Sequence, residues 1–532
     1  MKKFINKIKN NKVLSILSVL IIGLFFILVT RITYAYLAPV INDAQTNVVG
    51  STDTVDDFKF ELGNPLKINA TPTTLKENGS NYTTSTTAKA LLKANSTKNT
   101  ATYNYYVYFK ISSNTFTYSD GSTPEIILTV TNPNGDEITS IDGLTYGTFN
   151  GVSGFDITTK KGFFNIANNH EITSNSSTTY TTQSWRIKIT YLNLSIDQST
   201  NFGNSMKVNV YITKKEKKLT LADVCSNGQT LSSCIIEMDG KDDTLYHHTS
   251  SLANGAGDNS YRYAGASESV NNFVCFGTNS ATCPEDNLYR IIGVFEDKVK
   301  LIKYDYANSN LLGTDGDYNG SVTPNASYYK GSLTSIDAYS WNFKNDTTVN
   351  NSSGSNTWST SLLNKINLNT NYLNNIGTKW SNMIEDATWR VSGYSTESVT
   401  PSEMYTEEIT NATKTYGPND GTSKIGLVYA SDYGFAASPS AWTTTLLDYS
   451  GNDANGTSIT TINWMYMGFD EVTMTPFSSY SEFVFTLYAD GQVSSDAAAI
   501  SLYGSRPVLY LKASVTYAGG SGTKDSPITL VV

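Results

Sequence analysis

The stretch with the clearest means of holding an ion is Asp-Gly-Asp-Tyr-Asn-Gly at 315–320. Asp315, Asp317 and Asn319 alternate ahead of a glycine, the spacing that wraps oxygen ligands around a hard cation such as calcium. The twelfth position of that frame is Ala326 instead of the bidentate glutamate an EF-hand supplies, so a plain Asp/Gly turn competes with the calcium reading. No other cofactor is implied. Catalytic chemistry is harder to find. His170, His247 and His248 are the only histidines. The adjacent pair cannot face one site from a strand, because successive side chains point to opposite faces, so both are expected in loops. There is no G-x-S-x-G elbow, no H-E-x-x-H and no P-loop. Two carboxylates for glycoside hydrolysis need only meet in space, but nothing singles out a pair.

Aromatic side chains are the other candidates. Trp442, Trp464, Tyr466, Tyr480 and Tyr488 lie in or beside loop-like segments, where ring faces and polar tips suit sugars or protein surfaces. Trp442 and Tyr480 are expected to be the most exposed. Ordinary packing is the competing expectation, since such rings often fill small cores beneath loops. Arg506 precedes Pro507, which biases its backbone to the extended region, and the following Val-Leu-Tyr-Leu has the look of a buried strand. Its guanidinium is expected to pair with a carboxylate or loop carbonyls, with ligand contact as the second reading. Asp490 with Gly491 has the chemistry of a hairpin turn.

Four cysteines fall as two local pairs, Cys225 with Cys234 and Cys275 with Cys283, neither spaced as C-x-x-C. Four cysteines allow three connectivities; the local pairing is the expected one, each bridge adding about 2 to 3 kcal/mol by restricting the unfolded chain. Such bridges fit an exported, oxidising setting.

The elements that must position these residues are mostly strands. Asn, Ser, Thr and 35 Tyr dominate a chain of 532 residues with 16% charged residues and a net charge of -9. That composition suits pleated, half-buried surfaces joined by polar turns, and it excludes a nucleic-acid-binding surface, which needs clustered Lys and Arg. Strand patterns at 102–112, 125–138, 184–196 and 206–213 predict a β-sandwich over 37–213. The polar stretch 73–97 predicts a loop or short helix. Lysines at 214–218 mark a solvated linker over 214–220. Beyond it, 221–532 predicts an α+β domain. Within that domain 287–305 forms a hairpin, and 356–376 one or two helices packed through Trp358, Leu362, Ile366, Leu373 and Ile376, with Ser359 as cap. The segment 424–438 is expected to begin as a buried strand and run into a Gly- and Ala-rich loop.

The first 36 residues set the compartment. Lys2, Lys3, Lys7, Lys9 and Lys12 precede an uncharged run at 13–30, which would rise about 27 Å as a helix, close to the hydrocarbon thickness. The lysines hold the N-terminus inside and send the rest out. The run is expected to stay as a membrane anchor; Thr33-Tyr-Ala35 offers a leader-cleavage alternative that would release the chain.

Several stretches resemble a known family. "DNSYRYAGASESVNNFVCFGTNSATCPEDNLYRIIGVFEDKVKLIK", "NTWSTSLLNKINLNTNYLNNIGTKWSN", "KIGLVYASDYGFAASPSAWTT", "NWMYMGF" and "SRPVLYLKASVTYAGGSGTKDSPI" together resemble surface proteins of low-GC Gram-positive gut bacteria. These carry a domain of unknown function, the 6273-type module. The resemblance spans about 258–527. It implies a fold similar to C-type lectins, a small sheet framework carrying long loops, which is an analogy of fold and not of activity. The predicted sandwich behind "TYAYL" resembles, more weakly, the exported camelysin and TasA type; "AYL" replaces "AYF", and the ligand set of a metalloprotease is missing.

The expected architecture is therefore mainly β, with an N-terminal membrane helix, a β-sandwich and a C-type-lectin-like α+β part. The expected function is noncatalytic recognition of an extracellular glycan or protein at the cell surface. A structural subunit of a surface fibre or envelope is the alternative, and an extracellular hydrolase the third.

Overall fold

A computed structural model describes residues 55–72, 74, 80–343, 355–410, 421–497 and 502–531. The expected membrane segment and leader-cleavage site lie outside these residues. Among the described residues no helix is long and apolar enough to cross a membrane.

The chain is mostly β-sheet, and its buried side chains gather into two large cores. The N-terminal one lies between two antiparallel sheets. Its strands are β1 (Asp57–Leu62), β2 (Leu66–Asn69), β3 (Tyr82–Lys93), β4 (Ala101–Asn114), β5 (Ile126–Thr131), β6 (Thr145–Phe149), β7 (Val152–Asp156), β8 (Gly162–Ser174), β9 (Thr181–Tyr191) and β10 (Ser205–Thr213). One sheet runs β1-β3-β9-β5-β7-β6 and the other β2-β10-β4-β8. Alternation dictates the facing surfaces. Ala88, Ala90 and Leu92 of β3, Trp185, Ile187 and Ile189 of β9, and Leu128 and Val130 of β5 share one core with Val107, Phe109 and Ile111 of β4. The indole of Trp185 donates to the Tyr105 hydroxyl at 2.9 Å, which in turn donates to Gln183 at 2.7 Å, so the ring is buried without a stranded N–H.

Strand β3 corrects the expectation of a loop or helix in the polar stretch 73–97. Such a strand needs only one apolar face. Its alanines, too small to mark a hydrophobic run, supply that face, while Thr, Ser and Lys occupy the other.

The second core belongs to residues 221–531. A sheet runs β11 (Leu245–His247), β12 (Tyr261–Tyr263), β14 (Leu288–Phe295), β15 (Lys298–Lys303), β17 (Val508–Leu511) and β16 (Ile425–Gly426), with β13 (Phe273–Cys275) also paired to β14. The β14–β15 hairpin turns at Glu296 and Asp297 as its sequence predicts. Gly293 sits at a bulge, where a Cβ would lie 2.2 Å from the Tyr261 carbonyl oxygen, so β12 can approach only a glycine there.

Helical turns cover this sheet. Leu363–Tyr372 winds in wide π-type turns and continues into Leu373–Ser381. The wider winding moves the buried stripe to Leu363, Asn367, Leu368 and Tyr372, leaving Leu362 and Ile366 half-buried. Ser361, not Ser359, accepts the first free N–H, from Asn364 at 3.1 Å. Past β16 the chain forms a buried helix, Ala430–Ala436, where a loop was expected; its small residues let it pack against Pro401 and Leu446, as the contacts around Gly434 require.

Both cysteine pairs are bonded locally, Cys225–Cys234 and Cys275–Cys283, with Cα separations of 5.3 and 5.8 Å. In the connector 214–220, Lys214, Lys215, Glu216 and Lys218 are exposed as a solvated lysine run implies, while the Lys217 ammonium lies 4.3 Å over the Phe163 ring.

Candidate ligand-binding depression

The aromatic residues expected at a binding surface are mostly interior. Trp442 is 1% exposed, packed edge-on against Phe435 and Tyr246, and its indole donates to the Ala437 carbonyl at 2.9 Å. Trp464 donates to the Tyr263 carbonyl at 2.7 Å beneath the Arg290 guanidinium, 4.7 Å from its ring. The buried Tyr466 spends its hydroxyl on the Ala489 carbonyl. These three are corrected from surface contacts to core. Loop residues supply the walls that bury them, and a loop pattern in sequence does not reveal what it covers. Tyr480 alone stands out, at 55% exposure, stacked on Phe477 with ring centres 5.9 Å apart.

Arg506 is also interior. Its Nε donates to both Glu471 oxygens at 3.0 and 2.8 Å, and Nη2 donates to the Met465 carbonyl at 3.0 Å. The structural reading holds, and the ligand reading is corrected because every approach to the guanidinium is occupied by protein.

The calcium candidates are engaged by different neighbours. Asp315 accepts the Asn371 amide at 2.6 Å, the backbone N–H of buried Asp317 is held by Asn367 at 3.0 Å, and Asn319 donates to Ser340 at 3.1 Å. Among the described residues no group of three or more His, Cys, Asp or Glu is placed to hold a metal. The histidine pair divides: His247 ends β11 and stacks on Tyr261, while His248 begins the loop that follows and is buried there. Burial, with Arg262 nearby, pulls the His248 imidazole down to about 3, and its Nδ1 accepts the Ala256 N–H, so it serves packing as a neutral ring.

A cluster that the sequence does not announce ties the sheet to the Ala430–Ala436 helix. Arg262 donates to Asp432 at 2.8 Å and to Asp258 at 2.7 Å; Lys300 reaches the other oxygen of Asp432 at 2.5 Å. Beside it lies Glu408, fully buried, accepting from the Thr475 hydroxyl at 2.5 Å and the Ser431 N–H at 3.4 Å. Burial pushes this carboxyl up to about 7, with the Asp432 charge adding to the rise. Arg262, Lys300, Asp432 and Glu408 are buried, with Asp258 partly exposed at the edge, and the cluster reads as a set of struts.

An open polar depression among the described residues lies elsewhere. Where the loop closed by Cys275–Cys283 meets the hairpin of Thr516–Gly519 and Thr529–Val531, the surface encloses about 590 Å³. Ser280, Thr282, Glu285, Lys524, Ser526 and Thr529 line it. The disulfide pins one wall. The other turns sharply at Gly520, where φ is 92° and a Cβ would meet the Pro527 carbonyl oxygen at 2.1 Å, so glycine is required. A charge pair bridges the two walls: Lys524 Nζ is 3.3 Å from Glu285 and 4.6 Å over the Tyr304 ring. Glu285 also accepts from Ser332 at 2.8 Å; that bond first, then Lys524, holds its carboxyl below the usual range. Burial lowers Lys524, but Tyr304 and Glu285 outweigh it and leave the ammonium above its usual value. Hydroxyls around one paired cation and anion, both half exposed, can exchange hydrogen bonds with a polyhydroxyl ligand. No histidine lines the depression, and its two cysteines are bonded to each other. Glu285 and Lys524 are missed in sequence because each sits in ordinary turn chemistry, 239 positions from the other.

Comparison with protein-family models, with curated proteins and with solved structures finds no match.

Proposed function

We propose that this is a noncatalytic recognition protein of the bacterial cell surface, binding an extracellular glycan through residues 221–532. The observation that carries the reading is the open polar depression between a disulfide-pinned loop and the C-terminal hairpin, lined by hydroxyls around the Glu285–Lys524 pair. Two disulfides support an extracellular setting. The lysine-flanked apolar run at 13–30 supports anchorage in the membrane. A sheet that carries long covering loops is compatible with the C-type-lectin-like analogy, and with the 6273-type resemblance that suggested it.

The test is a glycan array probed with the full chain and with Lys524→Ala. Binding by the wild type that the variant loses supports the site. Binding that survives Lys524→Ala but is lost in Tyr480→Ala moves recognition to the exposed tyrosine. An array with no hits, together with a host-protein pull-down that recovers nothing, removes the reading. A second reading, a subunit of a surface fibre, is favoured by β8, a 13-residue strand at the edge of its sheet. Filaments that grow with protein concentration would support it.

A further inference from the structure

We infer that residues 214–220 form a locked elbow, in which Asp223 is gripped by one lysine from the sandwich and one from the connector, so that the two bodies hold one fixed orientation.

Helix α1 (Leu221–Val224) opens the C-terminal body. Leu221 and Val224 are buried in that body's core, and Cys225 directly after it is bonded to Cys234. Asp223 therefore cannot move away without disturbing this packing. One of its oxygens closes the helix start, accepting from the backbone N–H of Thr220 at 3.1 Å and its hydroxyl at 3.0 Å. The other faces two ammonium groups. Lys217 Nζ is 2.6 Å away, and Lys110 Nζ, from β4 of the sandwich, is 3.6 Å away. Lys110 also donates to the Ala222 carbonyl at 2.8 Å. An ammonium from one body thus meets both a carboxylate and a backbone oxygen of the other.

The connector is held from the sandwich side as well. The backbone N–H of Lys217 donates to the Tyr108 hydroxyl at 3.0 Å, and its ammonium lies over Phe163 of β8 and, at 5.3 Å, over Tyr211 of β10. Lys214 lies 5.0 Å over Phe58. Lys214 remains exposed, but a swivelling linker would leave Lys217 in water as well, where its side-chain entropy favours it. Asp223 is the most sheltered partner, its side chain 13% exposed against 30% for Lys217 and 21% for Lys110. Burial pushes its carboxyl up, but the two lysines outweigh that and hold it below its usual value. Burial dominates at Lys110 and lowers its ammonium, with Asp223 opposing. Partly exposed pairs of this kind are weakened by salt.

Limited trypsin digestion of the full chain tests the elbow, because Lys214, Lys215, Lys217 and Lys218 place four cleavable bonds inside it. Cleavage there is expected to be slow in the wild type. It should rise on the order of tenfold in Asp223→Asn and in Lys110→Met, the second leaving the helix cap intact. High salt on the wild type needs no substitution and should speed connector cleavage in the same direction, after normalising to trypsin's turnover of a small peptide. Small-angle scattering should show the maximum dimension spreading in the variants and not in the wild type. Connector cleavage that is fast in the wild type, or unchanged by both the variants and salt, would overturn the elbow.

Discussion

Arg506 and Glu471 meet at 2.6 Å inside the C-terminal body, each side chain no more than 3% exposed. The pair joins the entry to β17 to the strand Glu471–Pro476, with the Tyr306 ring 5.6 Å from the guanidinium. Removing one partner strands the other charge in a dry site.

Arg506→Ala is accordingly predicted to cost about 3 to 5 kcal/mol of unfolding free energy, measured by denaturant titration. Arg506→Lys should recover only part of it, because an ammonium cannot reproduce the two-oxygen grip together with the bond to Met465. A loss below about 1 kcal/mol in the alanine variant would mean that the pair is not desolvated as described.

Glu408 makes stability fall as pH rises. Its folded carboxyl holds its proton up to about 7, above its usual value of 4.5. Between those two pH values the folded state binds more protons than the unfolded one, so stability is full below about 4.5 and declines towards 7. Glu408→Gln, which stays neutral, should flatten that part of a urea-midpoint profile measured from acid to neutral pH. A parallel decline in the variant would assign the effect to another group.

All seven tryptophans are buried, none more than 6% exposed. Native fluorescence should therefore be shifted to the blue and resist acrylamide quenching. Ligand addition should leave it nearly unchanged, since no indole lines the depression. A large quench on ligand addition would put a tryptophan at the binding surface.

The Cys275–Cys283 bridge closes a short loop, and replacing both cysteines by serine should cost about 2 to 3 kcal/mol while loosening one wall of the depression. Glycan binding should weaken more than the thermal midpoint predicts. Equal affinity in the double variant would separate the loop from recognition.

The sequence reveals what local pattern determines. The β14–β15 hairpin, the strands of the sandwich with clear alternation and the two local disulfides are all legible in it, as is the anchoring role of Arg506 before Pro507. Strand β3 is obscured because its buried face is built partly from alanine. The helix at 363–381 shows its presence but not its face, since wide turns shift which residues point inward. The site is the least legible part. Trp442 and Trp464 lie in loops that fold over them, and Glu285 and Lys524, 239 positions apart, meet only through the tertiary fold. Long-range pairing of that kind leaves no local spacing to read.

The most direct test of the binding account is amide hydrogen exchange on the full chain with and without soluble mucin glycopeptides. Protection confined to 278–286 and 519–529, and absent in Lys524→Ala, is the predicted result. Protection centred on Tyr480, or exchange unaltered in both depression walls while the glycopeptides are bound, would contradict it.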